Sequence, residues 1–169
     1  MAPHDSALKS AVKDKVEIAW ARSPAQLGEV RELFLEYKQS LGFSLDFEGF
    51  DNELAELPGV YAPPAGRLLL ATVDNRTAGC AGLRKFDRDV CEMKRLYVRP
   101  SCRGSGVGRR LVAIVIDEAR GVGYKKMRLD TVVGKMDQAI RLYRQLGFKN
   151  IDPYRSNPVP DVLYMELEL

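Results

Sequence analysis

At 169 residues, 46% of them hydrophobic and 29% charged, the chain is long enough to bury one ordinary core and too apolar for a disordered segment. A net charge of +3 favours an anionic ligand but is too small to imply nucleic acid, and no block of Lys and Arg is interleaved with aromatics. The single histidine, His4, and three cysteines without C-x-x-C spacing (Cys80, Cys91, Cys102) argue against a histidine-based triad, a metal centre and a disulfide framework.

Free thiols of this kind belong to a reducing compartment, so the expected location is cytoplasmic. No apolar run approaches the roughly 20 residues that cross a bilayer, and Met1 to Val16 has no apolar segment followed by a small-residue cleavage site. A membrane partner is not expected. Residues 1–15 read as a mobile N-terminal tail and residues 16–169 as a single domain.

Val16 to Trp20 alternates apolar and polar, as a first strand does. Ser23-Pro24-Ala25-Gln26 then offers an N-cap, a proline at the first helical position and a Gln placed to close a capping box. Leu27, Val30, Phe34, Tyr37 and Leu41 continue at helical spacing up to Gly42. Phe47 to Leu57 predicts a shorter helix with an acidic face, stopped by Pro58-Gly59. Leu68 to Val73 is apolar enough for a strand covered on both faces. Ala78 to Phe86 and Val90 to Val98 follow as strands joined by the turns Asp74-Asn75 and Asp87-Arg88-Asp89, an antiparallel meander.

The pattern then changes. Val107, Leu111, Ile114, Val115, Ala119 and Val122 recur at helical spacing before Gly121 and Gly123. Lys126 to Thr131 predicts a strand, Met136 to Leu146 a helix capped by Gly147, and Leu163 to Leu169 a half-buried strand. The order predicts one mixed α/β domain with a largely antiparallel first half.

Between the third predicted meander strand and the next helix stands Arg103-Gly104-Ser105-Gly106-Val107-Gly108-Arg109-Arg110. A first helical turn leaves backbone N–H groups without intrahelical partners, and the peptide dipoles add positive charge there. Glycines let those groups approach a ligand, and three arginines add full charges, so the segment predicts a site for a phosphate or pyrophosphate. A P-loop needs Gly-Lys-Ser/Thr where Arg109-Arg110 follows Gly108, and a dinucleotide fingerprint needs its third glycine one residue later. A plain glycine turn at a helix start is the bland alternative.

Arg103-x-x-Gly106-x-Gly108 resembles the R/Q-x-x-G-x-G/A signature of the GNAT family of N-acetyltransferases. Glu92 to Pro100 looks like that family's central strand, and Ala139-x-x-Leu142-Tyr143-x-x-x-Gly147-Phe148 resembles its later helix and the turn behind it. The order of elements over residues 16–169 agrees. The resemblance implies an acyl-CoA N-acyltransferase fold, α+β, with a central, mostly antiparallel twisted sheet flanked by helices. It implies acetyl-CoA as the acetyl donor, no metal, and direct transfer to an amine. The backbone of Arg103, Gly104, Ser105, Gly106, Val107 and Gly108 would hold the pyrophosphate, with Arg109 beside it. Leu96, Tyr97 and Val98 would pair with the pantetheine arm as an added strand, and the strand around Leu129-Asp130-Thr131 would splay away there.

The family match also implies catalytic roles. Glu92, eleven residues before Arg103, is the candidate general base; the alternative is a substrate-binding carboxylate or a partner for a nearby Lys or Arg. Tyr143 is the candidate proton donor to the coenzyme A thiolate, against a core aromatic packed with Ala139 and Leu146. The backbone N–H of Val98 or Leu96 would donate to the thioester carbonyl. Many relatives carry Asn where this chain has Met136, which removes one expected coenzyme contact. A covalent route through Cys91 or Cys102 is disfavoured because no histidine is available nearby to make a thiolate.

The acceptor pocket would be built by Phe43 to Pro64 with Tyr154 to Pro160. Asp46, Glu48, Asp51, Glu53 and Glu56 would either attract a cationic amine or form a solvated helix face; Phe43, Phe47, Phe50 and Tyr61 would either line an apolar pocket or belong to the core. The expected acceptor is a small-molecule primary amine. A protein N-terminus or lysine, or a non-catalytic acyl-CoA sensor on the same fold, is the alternative. A homodimer is expected only on the ground that the last strand could present a free edge.

Overall fold

The computed structural model describes residues 14–169; the expected mobile tail and His4 lie, over residues 1–13, outside the described residues. Strand β1 (Val16–Trp20) is followed by helices α1 (Pro24–Leu41) and α2 (Phe50–Glu56), the meander β2 (Arg67–Val73), β3 (Arg76–Lys85) and β4 (Val90–Val98), helix α3 (Val107–Val122), β5 (Lys126–Val132), helix α4 (Asp137–Gln145), β6 (Lys149–Ile151) and β7 (Val162–Glu168). The seven strands form one sheet in the order β1-β2-β3-β4-β5-β7-β6. Every neighbouring pair is antiparallel except β4 and β5.

Helix α1 begins as its sequence predicts. Gln26 N–H donates to Ser23 Oγ at 3.1 Å, and Ser23 N–H donates to Gln26 Oε1 at 3.1 Å, so two otherwise unpaired groups are satisfied reciprocally. The predicted second helix is in fact two pieces. A 3₁₀ turn, Asp46–Glu48, gives way to α2 at Gly49, whose φ of 68° belongs to the left-handed region and breaks the helix. The break turns Glu48 and Glu53 toward the sheet and leaves Asp46, Asp51 and Glu56 in solvent.

The sheet is covered on both faces. Leu69, Ala71, Ala81, Leu83, Met127 and Leu129 pack under α3 and α4. Leu68, Leu70 and Cys80, one residue out of phase, pack under Val30, Leu33 and Phe34 of α1 and Phe50 of α2. The continuous apolar run Leu68 to Ala71 is the consequence. Gly82 is required by this second layer: a Cβ there would lie 2.6 Å from the ring of Tyr61, which packs against β3 at this point. Gly82→Ala is therefore expected to lower stability by about 1–3 kcal/mol in urea unfolding, as overpacking does; parent stability would show that the Tyr61 ring has room to move.

Strand β4 does not keep a single phase. Cys80 pairs with Tyr97 and Gly82 with Lys94, so Arg95 and Leu96 together face Ala81. This is a β-bulge, and Arg95 sits in it at φ 59°. Before the bulge Cys91 and Met93 face α3; after it Tyr97 belongs to the layer under α1. The expected free edge on the last strand is partly covered. β7 pairs with β5 along its whole length and with β6 at Tyr164 to Glu166, and the sheet edges are β1 and β6. No helix among the described residues is long and apolar enough to cross a membrane.

Candidate active site

Parallel pairing between β4 and β5 stops at Glu92 with Arg128. Beyond it β4 runs on to Val98 and β5 to Val132, the latter still paired with β7. β4 likewise stays paired with β3 as far as Val98, so the sheet opens between two strands that each keep their outer neighbour, and the bulge at Arg95, which bends a strand and increases its twist, lies at the opening. The splay expected around Leu129-Asp130-Thr131 is present. It opens a cavity of about 660 Å³ that runs from the glycine loop, between the two strands, to the segment after α1.

Arg99 N–H donates to Ala78 O at 2.8 Å, so by strand alternation the N–H and C=O of Val98 point the other way, into the gap. The Val98 carbonyl accepts from Arg103 Nε at 2.9 Å. Its N–H is left facing the cavity, where an extended arm or a thioester oxygen would be received. The same walls include Leu96 and Tyr97.

At the other end the chain makes a short 3₁₀ turn, Pro100–Cys102, and enters α3 through Gly104 at φ 86° and Gly106 at φ 83°. Gly106 is the N-cap, and no side chain caps the helix. Ser105 Oγ, which could have done so, donates to Cys102 O at 2.8 Å instead. Arg110 N–H is the first to find an intrahelical carbonyl, that of Gly106. Among the described residues the N–H groups from Gly104 through Arg109 have no acceptor. A consecutive set of unpaired donors at a helix start, with Arg103 and Arg109 alongside, is an anion cradle and exceeds what a turn needs. Of the loop residues singled out in the sequence, Arg103, Gly104, Gly106, Val107, Gly108 and Arg109 line the cavity, whereas Ser105 does not. The Arg109 guanidinium is held by Gln145 of α4. The cradle fits the pyrophosphate of coenzyme A on this donor set.

Tyr143 lines the cavity from α4, packed against Phe148 with ring centroids 5.6 Å apart. The core reading of this residue holds, since the ring is buried against Phe148, and the residue also borders the cavity. Among the described residues its Oη makes no hydrogen bond, and burial raises its pKa well above the ordinary phenol value, so the proton is present at neutral pH. Met136 fills the position where relatives carry Asn, and its sulfur accepts from Thr131 Oγ1 at 3.2 Å.

Glu92 lies differently. It is fully buried and is not part of the cavity wall, which begins one residue later at Met93. Its Oε1 takes Arg84 Nε at 2.8 Å, and its Oε2 takes the Tyr154 hydroxyl at 2.7 Å together with the Arg155 guanidinium. Burial alone would raise its pKa; Lys94, Arg155, Arg84 and Tyr154 outweigh burial and hold the carboxyl below its ordinary value. A carboxylate with both oxygens taken and its pKa lowered is placed as a partner for cations, the second of its two expected roles.

A further set of charges went unrecognised in the sequence. Lys94 and Arg95, adjacent on the bulge, are both buried. Lys94 donates to Glu48 Oε1 at 2.8 Å, and Arg95 donates to Glu48 Oε2 and Glu53 Oε2, each at 2.9 Å. Tyr61 closes the chain on Glu53 Oε1 at 2.6 Å. Burial would raise the Glu48 carboxyl, but Lys94 and Arg95 bring it down to about 2. The acids of the 46–56 segment are thus divided: Glu48 and Glu53 hold the bulge, and the rest are solvated. Phe50 and Tyr61 are core, while Phe43 and Phe47 line the cavity.

A sheet split beside a bulge, with an uncapped glycine-rich helix start at one end of the split, defines the acyl-CoA N-acyltransferase class. The model of the acetyltransferase (GNAT) family matches residues 27–148, and the chain belongs to that family. It is 41% identical to an uncharacterized N-acetyltransferase of Schizosaccharomyces pombe over 91% of this chain and 95% of that protein. It is 35% identical to an IAA acetyltransferase of Azospirillum brasilense over 70% of this chain and 77% of that one. Among solved structures it resembles an acetyltransferase from Salmonella typhimurium with its cofactor acetyl-CoA, at 25% identity and a TM-score of 0.65, covering 90% of this chain and 93% of that one. The protein is an acetyl-CoA-dependent N-acetyltransferase of this family.

Proposed function

We propose that the protein transfers the acetyl group of acetyl-CoA directly to the primary amine of a small molecule. The observation that carries this reading is the single cavity that joins the uncapped start of α3, the unpaired edge of β4 and an acceptor-side wall built by Phe43, Phe47 and Val159. The backbone from Arg103 to Gly108 holds the pyrophosphate, with Arg109 at its side. Leu96 to Val98 receives the pantetheine arm, and Val98 N–H donates to the thioester carbonyl. Tyr143 supplies the proton to the departing thiolate. The amine sheds its proton to a base or a water chain before its C–N bond forms and the C–S bond breaks. Glu92 supports the site by holding Arg84 and Arg155. A protein N-terminus is the second reading; the acceptor side, walled by residues 43–48 and 157–162, favours the smaller substrate. The two buried and one half-buried free cysteines suit the cytoplasm, where we place the protein. β6 covers the outer edge of β7 only at Tyr164 to Glu166, which shortens the strand edge a homodimer would use from that element.

Isothermal titration with acetyl-CoA, with ATP and NADH as controls, tests the cofactor; thiol release on an amine panel tests the transfer. Micromolar binding of acetyl-CoA alone is expected, and equal binding of ATP would overturn the assignment of the loop. Tyr143→Phe is expected to keep acetyl-CoA affinity and to lower kcat by about 100-fold, the range for losing a positioned proton donor. An unchanged kcat removes Tyr143 from the chemistry and leaves it as a core ring.

A further inference from the structure

Three carboxylates line the cavity, Glu48, Asp130 and Asp137. Asp137 is exposed at the start of α4 and accepts from Gly134 N–H at 2.7 Å. Both oxygens of Glu48 are taken by Lys94 and Arg95. Asp130 stands apart. It lies on β5 inside the splay, its Oδ2 is buried, and among the described residues that oxygen has no hydrogen-bond partner. Its Oδ1 is 3.6 Å from Lys94 Nζ, which is already committed to Glu48. An unpaired buried carboxylate oxygen costs stability unless a ligand completes it.

What surrounds Asp130 says which ligand. The cavity beside it is walled by Tyr37, Phe43, Phe47, Met93, Val159 and Val162. A second hollow of about 550 Å³ adjoins it, shares Phe43, Phe47, Lys135 and Val159, and continues over Pro158, Pro160 and Val133 to Asp161. Phe47 and Val133 are 42% and 52% exposed, high for large apolar side chains. Glu92, the remaining buried carboxylate of this face, has both oxygens occupied. The site therefore offers at its inner end a carboxylate that is 11% exposed and has no hydrogen-bond partner on its buried Oδ2, and a mostly apolar track leading outward past Lys135.

We propose that Asp130 binds the acceptor's ammonium on entry, before that nitrogen sheds its proton to the base or water chain and attacks, and that the acceptor is a monocationic primary amine with an apolar or aromatic body, lying along Phe43 and Phe47. This rests on the acetyl-transfer reading and narrows it. A polyamine would carry its second and third charges past Lys135 along a mostly apolar track whose one carboxylate, Asp161, is exposed at the far end, and is disfavoured by the same geometry. The acids of residues 46–56 do not attract it, since the buried ones are paired and the others face solvent.

The test uses the full chain, acetyl-CoA and two probe amines, 2-phenylethylamine and spermidine, with coenzyme A release as the readout. The parent protein should turn over 2-phenylethylamine with the higher kcat/KM. Asp130→Asn, which keeps the shape and removes the charge, should raise KM for 2-phenylethylamine by about 30-fold, as loss of a charged hydrogen bond does, with acetyl-CoA affinity unchanged. A purely structural role would move acetyl-CoA affinity and KM together. A measurement on the parent protein stands beside the variant: 2-phenylethanol, the neutral isostere, should compete at least about 10-fold more weakly than the amine binds. An unchanged KM in the Asn variant, equal competition by the alcohol, a preference for spermidine, or no turnover of 2-phenylethylamine by a protein that binds acetyl-CoA would each overturn the proposal. Failure of the parent to bind acetyl-CoA would instead sink the acetyl-transfer reading on which it stands.

Discussion

Replacing Gly106 by Asp is expected to leave the protein folded and to weaken acetyl-CoA binding by at least about 100-fold, or ~2.7 kcal/mol. Gly106 is the N-cap of α3 at φ 83°, and nothing within 4 Å would meet a Cβ there. The fold therefore pays only the backbone strain of a left-handed residue, about 1–2 kcal/mol, at the lower end for Asp, which adopts that region more readily than most. The carboxylate also complements the helix dipole and can offset part of that cost. The features that spare the helix spoil the site. An anion would be fixed beside the N–H groups of Val107, Gly108 and Arg109, which have no acceptor among the described residues and would otherwise receive the pyrophosphate. Gly106→Ala separates the two effects, since it carries the strain without the charge; its binding should fall far less. Titration calorimetry reads the affinity and thermal unfolding the fold. Parent affinity in the Asp variant would move the coenzyme away from this loop.

The glycine-rich start of α3 was legible in the sequence because all its parts are local: a strand end, three glycines in five residues, and an amphipathic helix. The helices and strands were legible for the same reason, since α1 carries its capping box and stripe within its own residues. What was not legible is long-range. Nothing in Glu92-Met93-Lys94-Arg95-Leu96-Tyr97-Val98 announces a bulge, because Lys94 and Arg95 look like two more residues of a strand. Their buried state depends on Glu48 and Glu53, more than forty residues upstream, brought over the sheet by the break at Gly49. Those acids were visible but read as one face, whereas the break divides them. Asp130 offered no local signal, since it alternates with Lys126 and Arg128 along β5 as one more outward charge would, and its meaning appears only once the splay and the cavity are seen. The last strand's outer edge was expected to be free because β6, three residues long, was too short to be read as the strand that covers part of it.

Glu92 carries the second large expected effect, and on stability. Its carboxylate is the shared partner of Arg84 and Arg155 in a fully buried position. Glu92→Gln keeps the volume and removes the charge, leaving two guanidinium groups facing a neutral amide. Breaking a buried pair from one side typically costs about 3–5 kcal/mol, far more than the pair itself contributes over an apolar replacement. Urea unfolding at neutral pH should show a loss of that order. The pH dependence gives an independent check. Because the folded protein holds this carboxyl below its ordinary value of 4.5, its contribution is fully present above that pH and is lost as the pH falls through the lower folded value. The gap between parent and Gln variant should therefore be constant from neutral pH down to about 5 and close below it. Turnover should suffer only as far as the variant is unfolded or Arg155 and the wall near Glu48 shift. A Gln variant with parent stability and a collapsed kcat would show the opposite, that the carboxylate acts on the acceptor's proton and that its two arginines only tune it.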